Sequence, residues 1–369
     1  MAKPALSMKP TGWFQVAWSA EIEPGQVHRM TYFGEELIAW RSSSGRLAVM
    51  GAHCEHLGAH LGHGGHVEGE RIVCPFHGWE WNAEGRNVCI PYQDRPNRAR
   101  RIKNWPSVER NECVFIWHDV DGREPYFEVP DVFAAYNDGR TADDYYLAYP
   151  EGCLHREGLE LHPQYVMENG VDFAHFKFVH RAAFVPEFTR QEYDGAMAYA
   201  DFEMLFGGTK DKTVLTPEGA VHGGVQAINV GIGIGFAKFW GPDNMRTVVT
   251  VTPVDDQTCD IRSSVWLDKV PGEGGPHQPE SLERRQRMAN NQFLADLNIW
   301  QHQRYTDPPA LATAEGKGFR MIRRWAMQFY PDGEPGSAST PELQTAGTDA
   351  QDDAPENEAT GATATSVGS

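Results

Sequence analysis

Short runs of alternating apolar and polar residues fill the first third of the chain, and Gly and polar turns separate them. This pattern predicts β-strands. The predicted strands cover residues 13–18, 30–33, 36–40, 47–50, 71–74, 88–91 and 113–118, with a loop rich in His, Cys and Gly at 53–69 and a Trp-rich hairpin at 79–85. We therefore predict a small all-β domain over residues 13–120, preceded by an N-terminal arm at residues 1–12.

The pattern changes after residue 120. An acidic linker that contains Pro covers residues 120–160, and helix-forming residues are denser at 162–180. Residues 281–305 contain neither Gly nor Pro and place apolar side chains at helical spacing, so they predict a long helix. Strand patterns lie between these segments, at 198–206, 225–239, 246–253 and 260–267. The second domain, residues 121–330, is thus predicted to be α+β, an antiparallel sheet covered by helices.

Charge modifies this picture mainly at the C-terminus. The chain has 51 Asp and Glu against 33 Lys and Arg, a formal net charge of −18, which argues against a nucleic-acid partner. Eight of the acids lie in residues 332–369, where no Lys, Arg or aromatic residue occurs. Such a segment cannot bury enough apolar surface to offset its ordering entropy. We expect residues 331–369 to form a disordered acidic tail.

Six cysteines in 369 residues do not suggest a disulfide framework. Residues 1–12 lack the apolar run of a secretory signal, and no stretch of 18 apolar residues occurs. We expect a protein without a membrane span in a reducing cytoplasm.

The first candidate site consists of two Cys/His pairs. Cys54 and His56 form one pair, and Cys74 and His77 form the other after 17 intervening residues. Two thiolates and two imidazoles suit either tetrahedral zinc or a Rieske [2Fe–2S] cluster, in which two Cys hold one iron and two His hold the other. Glycines follow each pair and let the backbone approach a bulky inorganic core, which favours the cluster.

Two other interpretations concern the same loops. The four residues could be ordinary loop residues, and the chain could then carry no metal there. The nearby His53, His60, His63 and His66 have no further Cys beside them. We expect these four to be exposed loop residues, with His60 and His63 as candidates for pairing with acidic partners.

A second candidate site lies in residues 168–180. Asp172, His175 and His180 fall within nine residues, and a bend between the two His could aim both at one point. Two neutral imidazoles and one carboxylate form the facial triad of non-haem iron oxygenases, which leaves positions open for O2. The alternative is an amphipathic helix that contains these residues by chance.

Together these motifs resemble the α subunits of Rieske non-haem iron oxygenases. The block from Cys54 to Gly58 and the block from Cys74 to Trp79 resemble the cluster-binding motif of Rieske proteins. The resemblance implies an N-terminal Rieske domain, a helix-grip-like catalytic domain, cluster ligands Cys54, His56, Cys74 and His77, and iron ligands His175, His180 and Asp296. It also implies that Asp172 bridges an iron-ligating His and His77 of a neighbouring subunit.

The residues themselves give Asp296 independent support. On helical spacing it shares a face with Phe293 and Trp300, and an acid on an apolar stripe is costly unless it is paired or bound to a metal. The alternative is a solvated or salt-bridged acid.

Residues 323–330, His162-Pro163-Gln164 and Glu168-Asn169 resemble 3-ketosteroid 9α-hydroxylase oxygenases and sterol desaturases. Glycines alternate with apolar residues at 230–236, which would leave room beside a strand for a large flat substrate, or for a close neighbouring strand. The side chains predicted as apolar walls are Phe202, Phe206, Phe236 and Trp240.

The resemblance implies a terminal oxygenase that uses O2, Fe(II), a [2Fe–2S] cluster and electrons from NAD(P)H through a flavin/iron–sulfur reductase or ferredoxin. Its expected reaction is monooxygenation of a hydrophobic substrate, with steroids as the candidate class, in a head-to-tail homotrimer. Three alternatives remain open: an aromatic ring-hydroxylating dioxygenase or demethylase, a Rieske electron carrier, and a zinc-stabilised binding module.

Overall fold

The computed structural model describes residues 6–180, 182, 185–206, 221–241, 244–272 and 274–331. The predicted acidic tail lies, apart from Pro331, outside the described residues, and so do the first five residues of the predicted N-terminal arm and the side chain of Phe206. No helix among the described residues is both long and apolar enough to cross a membrane.

Three small antiparallel sheets form the N-terminal part. Their orders are β1-β10-β9, β2-β3-β4 and β5-β6-β7-β8, and the all-β prediction for this part is confirmed. The strands of these sheets are short because Gly and polar turns interrupt the apolar runs. The strands are β1 (Gly12–Trp18), β2 (Val27–Tyr32), β3 (Glu35–Arg41), β4 (Leu47–Gly51), β5 (His66–Glu68), β6 (Arg71–Val73), β7 (Glu80–Asn82), β8 (Asn87–Cys89), β9 (Ser107–Arg110) and β10 (Cys113–His118).

A seven-stranded antiparallel sheet organises the rest of the chain, in the order β11-β17-β16-β15-β14-β13-β12. Long strands form its centre, and apolar residues on both sides of them pack against other elements. The strands are β11 (Cys153–Leu159), β12 (Glu187–Asp194), β13 (Met197–Phe206), β14 (Val221–Val230), β15 (Ile234–Trp240), β16 (Met245–Pro253) and β17 (Cys259–Leu267).

Four α-helices in the described ranges accompany this sheet, which confirms the predicted α+β class. The sequence pattern missed α4, although its buried Ile322, Trp325 and Ala326 recur at helical spacing and Glu315 caps its first turn. The predicted helix at 281–305 ends earlier, because the polar residues after Trp300 have no apolar face to bury. The helices are α1 (Pro163–Glu168), α2 (His175–Phe178), α3 (Glu283–Trp300) and α4 (Thr313–Ala326).

The two faces of the large sheet have different coverings. On the outer face, Ile228, Phe236 and Trp266 pack in one cluster with Trp13 of β1 and Phe115 of β10. On the inner face, the cluster around Val251 and Ile261 is built from residues of α1, α3 and α4. The N-terminal strands therefore occupy one side of the sheet, and all described helices that carry candidate site residues lie on the other.

One strand prediction and one interpretation are wrong. The predicted strand at 225–239 is two strands, since Gly231 has φ +58° and residues 231–233 form the turn between β14 and β15. A Cβ on Gly233 would lie 2.3 Å from the carbonyl oxygen of Trp13. These glycines therefore serve a turn and the close approach of β1, and they leave no room for a flat substrate.

A largely buried ion pair joins α1 to α4. Arg323 Nε and Nη2 donate to the two carboxylate oxygens of Glu168 at 2.8 and 3.0 Å, and Arg323 lies over the ring of Tyr305 at 4.5 Å. A bidentate pair of this kind holds two elements in one orientation. It thereby fixes the start of the segment that leads to Asp172 and His175.

Replacing Arg323 with Leu should lower the free energy of unfolding by about 3 kcal/mol, because Glu168 would remain as a buried charge without its partner. Urea denaturation followed by Trp fluorescence measures this. Arg324→Leu is the matched control, because Arg324 is exposed on the same helix, and it should change stability by less than about 0.5 kcal/mol. Equal effects of the two substitutions would contradict the role given to the ion pair.

Candidate functional site

Two loops of the same backbone geometry present the first four candidate residues. The N–H of Gly58 donates to the carbonyl of Cys54 at 2.9 Å, and the N–H of Gly78 donates to the carbonyl of Cys74 at 3.0 Å. Both glycines have positive φ, +77° and +69°. An L side chain rarely adopts this conformation, so the glycine after each His is required by the turn. Each glycine lies four residues after its Cys, so the two loops form equivalent turns.

The two loops bring their side chains together. The Cys54 and Cys74 thiols are buried and hydrogen-bonded to each other, and the rings of His56 and His77 lie 4.8 Å apart. Trp79 stacks on His56 with centroids 4.3 Å apart. The two thiols therefore form one close pair and the two imidazoles form another.

The thiols are electronically prepared to act as ligands. The hydrogen bond from Cys54 lowers the pKa of Cys74 to about 6, and the backbone N–H groups of Phe76 and His77 contribute to this shift. The same pairing raises the pKa of Cys54 above its usual value. The second proton is costly to remove because two adjacent buried thiolates would repel each other, and a bound iron would offset that cost.

His77 supplies a further indication. Its Nδ1 is buried and has no hydrogen-bond partner among the described residues. A buried imidazole nitrogen without a partner is unfavourable unless it binds something. The donor set and this nitrogen fit a Rieske [2Fe–2S] cluster.

The other histidines of the loop have ordinary roles. His53 pairs with Glu36 at 3.4 Å, His63 contacts Arg29 at 3.0 Å, and His60 accepts the N–H of Gly62. The expectation that His60 and His63 have acidic partners is wrong, since only His53 pairs with an acid. No metal-binding group among the described residues includes them.

The second candidate site lies between α2 and α3. Ligand atoms of His175, His180 and Asp296 all lie within 4.8 Å of one another, and His180 Nε2 is 3.0 Å from Asp296 Oδ1. The helix α2 ends at Phe178, so His180 leaves the helical path and can turn back toward His175. Asp296 projects from α3 beside the buried Phe293 and Leu297.

Burial and hydrogen bonding prepare these groups for a metal. Burial lowers the pKa of His175 and keeps its imidazole neutral, as a metal ligand must be. His175 Nδ1 is hydrogen-bonded to the backbone carbonyl of Asp172, which leaves Nε2 to face His180 and Asp296. His180 Nδ1 is buried without a partner in the described part of the chain. The set fits a non-haem iron with open positions.

Asp172 has a position that the sequence alone did not specify. Its carbonyl fixes the tautomer of His175, while its carboxylate Oδ1 accepts the backbone N–H of His175 at 3.2 Å. Oδ2 takes no hydrogen bond from any described residue. The role of fixing the ring therefore belongs to the backbone, and one carboxylate oxygen is left for another donor.

Two of the predicted apolar walls lie on the wrong face. Phe236 and Trp240 share the outer face, because the register pairs Ile228 with Phe236 and Gly224 with Trp240. Phe202 faces inward, 5.2 Å from Phe176, whose ring is 5.6 Å from that of His180. Alternation along a strand shows which residues share a face, but it does not show which face is covered by the helices.

A further His/acid group was missed by the sequence analysis. His155, Glu157 and Asp260 form it at the edge between β11 and β17. Asp260 accepts from Tyr32 at 3.0 Å, and Tyr32 accepts from Arg262 at 2.7 Å. These contacts join β2 to the large sheet, so the group has a structural explanation.

Comparison with known families identifies both parts of the chain. Residues 12–106 match the Rieske [2Fe–2S] domain, and residues 116–330, more than half of the chain, match the 3-ketosteroid 9α-hydroxylase C-terminal domain. The chain belongs to the 3-ketosteroid 9α-hydroxylase family of Rieske oxygenases. It is therefore a Rieske-type non-haem iron oxygenase, and its cofactors are a [2Fe–2S] cluster and Fe(II), with O2 as co-substrate and electrons from NAD(P)H.

Individual relatives and solved structures show the range of similarity. A 3-ketosteroid-9-alpha-monooxygenase oxygenase component of Rhodococcus rhodochrous is 30% identical over 339 residues, which cover 87% of this chain and 84% of that protein. A cholesterol 7-desaturase of Xenopus laevis is 30% identical over 355 residues, covering 88% and 73%. Among solved structures, NdmA of Pseudomonas putida CBB5 with caffeine has a TM-score of 0.63 at 17% identity, covering 86% and 90%. Dicamba monooxygenase bound to dicamba has a TM-score of 0.60 at 18% identity, covering 87% and 98%.

Substituting His175 with Ala should remove the mononuclear iron and leave the cluster, because the two donor sets share no residue. Iron per chain should fall by roughly a third, from three atoms to two, while the visible absorption of the cluster stays unchanged. The control His222→Ala changes an exposed residue and should alter neither quantity. Loss of the visible absorption in His175→Ala would show that the sites are not separable.

Proposed function

We propose that this chain is the terminal oxygenase component of a multi-component system that inserts one oxygen atom into a C–H bond of a steroid-like substrate. Cys54, His56, Cys74 and His77 hold the cluster, and His175, His180 and Asp296 hold the iron. When bound, the cluster supplies single electrons and the iron supplies open positions at which O2 is activated. A flavin/iron–sulfur reductase or a ferredoxin is the proposed source of these electrons.

The observation that carries the substrate proposal is a row of small residues on the inner face of the sheet. Cross-strand pairing aligns Ala200, Ala227, Ala237 and Thr247 on four adjacent strands. Ala227, Ala237 and Thr247 remain partly exposed although they lie in the middle of a seven-stranded sheet. Their outer-face neighbours Ile228, Phe236 and Val248 are buried. The open space is therefore on the helix side of the sheet.

This row connects with the iron site. Ala200 and Phe202 pack in one cluster with Phe176, and Ala237 and Phe239 border the same cluster. Small side chains leave room above the sheet, and the row bears no charge, so it offers no partner to a carboxylate. A large neutral apolar molecule fits such a surface better than an aromatic acid does. The steroid substrates named for the relatives are of this class.

We assign one function to each of the two domains. Residues 13–120 are the cluster domain and residues 121–330 the catalytic domain. Within the catalytic domain the chain's own residues exclude water and orient the site: Phe176 and Phe202 shield one side of His180, and the carbonyl of Asp172 holds the proton on Nδ1 of His175.

We propose further that Asp172 connects two subunits. Its free carboxylate oxygen can accept the Nε2–H of His77 from a neighbouring copy, because ligation through Nδ1 leaves that N–H to donate. A contact of this kind, repeated head to tail, closes a ring, and a homotrimer is our proposal. Substrate oxidation then requires the assembled ring, since each iron is served by the neighbour's cluster.

Product analysis tests the proposed reaction. The purified chain is combined with a generic reductase and ferredoxin, ¹⁸O2, and a panel of steroids, sterols and aromatic acids. We expect a steroid product that carries one ¹⁸O atom. A steroid product that has lost two hydrogens and gained no oxygen would identify a desaturase instead. Conversion of aromatic acids alone would contradict the steroid proposal.

Replacing Ala237 with Phe should fill the space above the sheet and raise the substrate Kd by about tenfold or more, since a packed site does not accommodate an added ring. Equilibrium binding of the converted steroid measures this. Ala237→Gly is the matched control, because it keeps the space open and should bind within about threefold of the wild type. Unchanged binding by the Phe variant would place the substrate elsewhere.

Asp172→Asn should retain both metals and bind substrate, yet lose most turnover, because the amide still accepts the N–H of His175 but removes the charge that faces the neighbour. Iron content, substrate binding and steady-state turnover are measured for the Asp172→Asn variant and for the wild type. Asp172→Glu, which restores the charge at a longer reach, should recover part of the activity. Full activity of the Asn variant would refute the bridging role.

A further inference from the structure

One stretch of the N-terminal domain is strongly basic in an otherwise acidic protein. Residues 86–103 hold six Arg and Lys against the single acid Asp94, whereas the whole chain has 51 acids and 33 bases. Nearly all of this charge is concentrated at the end of the stretch, in Arg95, Arg98, Arg100, Arg101 and Lys103.

This stretch is in contact with both cluster loops. The hydroxyl of Tyr92 accepts a hydrogen bond from Trp79 Nε1 at 2.7 Å, and Trp79 stacks on His56. At the other end, Arg100 Nη1 lies 3.9 Å from Glu55, the residue between Cys54 and His56. The basic segment therefore lies along the His56 edge of the cluster site.

The fold does not use the most exposed of these cations. Lys103 pairs with Glu35 and Arg101 Nε donates to the carbonyl of Glu84. Arg95 and Arg98 are exposed and have no ion pair with any described residue. Arrays of like charges repel one another, and an acidic partner would relieve that repulsion.

Apolar side chains accompany the cations. Leu57, which follows His56, is 67% exposed, and Tyr92 is 61% exposed. An ordinary solvated face has no reason to expose large apolar side chains beside its charges, whereas a docking surface has. Complementary charge sets the encounter rate, and a small apolar centre gives short-lived contact, as transient electron-transfer complexes require.

We propose that Tyr92, Arg95, Arg98 and Arg100, which we call the basic rim, form the docking site for an acidic electron-donor protein. The proposal rests on the proposed oxygenase function and identifies where its partner binds. Each encounter moves one electron and no atom: the donor is oxidised by one electron as the oxygenase is reduced by one. The His77 edge remains available for the neighbouring subunit, so both contacts can exist at once.

The test compares two double variants of the full chain with equal changes in charge. Arg95→Glu with Arg98→Glu alters the basic rim, and Arg156→Glu with Arg284→Glu alters two exposed arginines of the catalytic domain. The probe is an acidic plant-type [2Fe–2S] ferredoxin, and its Kd is measured at low and at physiological ionic strength. We expect the rim variant to bind roughly tenfold more weakly at low salt and to lose most of the salt dependence.

The control variant should bind the ferredoxin as the wild type does. Equal weakening in both variants would show a general charge effect and would overturn the proposal. Dithionite reduction of the cluster and single-turnover product formation should be unchanged in the rim variant. If the wild type forms no product after dithionite reduction, the proposed oxygenase function is refuted. Failure of the donor site and failure of the oxygenase function are therefore distinguishable.

Two other occupants of the rim give different outcomes. If a second copy of the chain covers it, the rim variant will change its oligomeric state in analytical ultracentrifugation, and the proposal is overturned. If the chain's own acidic tail covers the basic rim, the rim substitutions will not weaken ferredoxin binding once the chain is shortened to end at Pro331. Retention of the weakened binding in that shorter chain supports the donor site.

Discussion

Two imidazoles and a carboxylate share a largely buried volume between α2 and α3, and this arrangement is costly unless a cation occupies it. Much of the catalytic domain serves to hold that arrangement. The ion pair between Glu168 and Arg323 fixes the segment that leads to α2, and the apolar stripe of α3 holds Asp296 against the sheet. The small residues of the inner face then leave open the space that a substrate needs beside the metal.

The two faces of the seven-stranded sheet have different roles. Its outer face packs on β1 and β10, which joins the N-terminal domain to the catalytic domain, and its inner face carries the site. The glycines at 231 and 233 belong to the first task, because they let β1 approach closely. The alanines of β13, β14 and β15 belong to the second. Composition alone cannot distinguish small residues that allow a close approach of β1 from small residues that leave open space on the inner face.

The sequence predicts the chemistry of the sites better than it predicts their surroundings. The Cys-to-Gly spacing, four residues in both loops, corresponds to two equivalent turns. Asp296 lies with His175 and His180 although about 120 residues separate them in the sequence. That last prediction depended on family resemblance, because no local pattern links a helix to a distant loop. Phe236 and Trp240 were assigned to the wrong face, because strand alternation does not reveal which side the helices cover. Helix α4 was missed although its apolar stripe is regular.

The cluster site has two edges that differ in chemistry, and the proposed donor and subunit contacts use one edge each. The buried Nδ1 of His77 has no hydrogen-bond partner in the described part of the chain, and His77 lies beside the exposed Phe76. His56 is covered by Trp79 and bordered by the basic rim. A cluster that both receives and delivers electrons needs separate surfaces, because a single surface would force the donor to leave before delivery. If the donor binds along the His56 edge and the neighbour's Asp172 binds at the His77 edge, the ring can be recharged without being opened. The repeated electron input that one oxygenation requires is then compatible with a stable assembly.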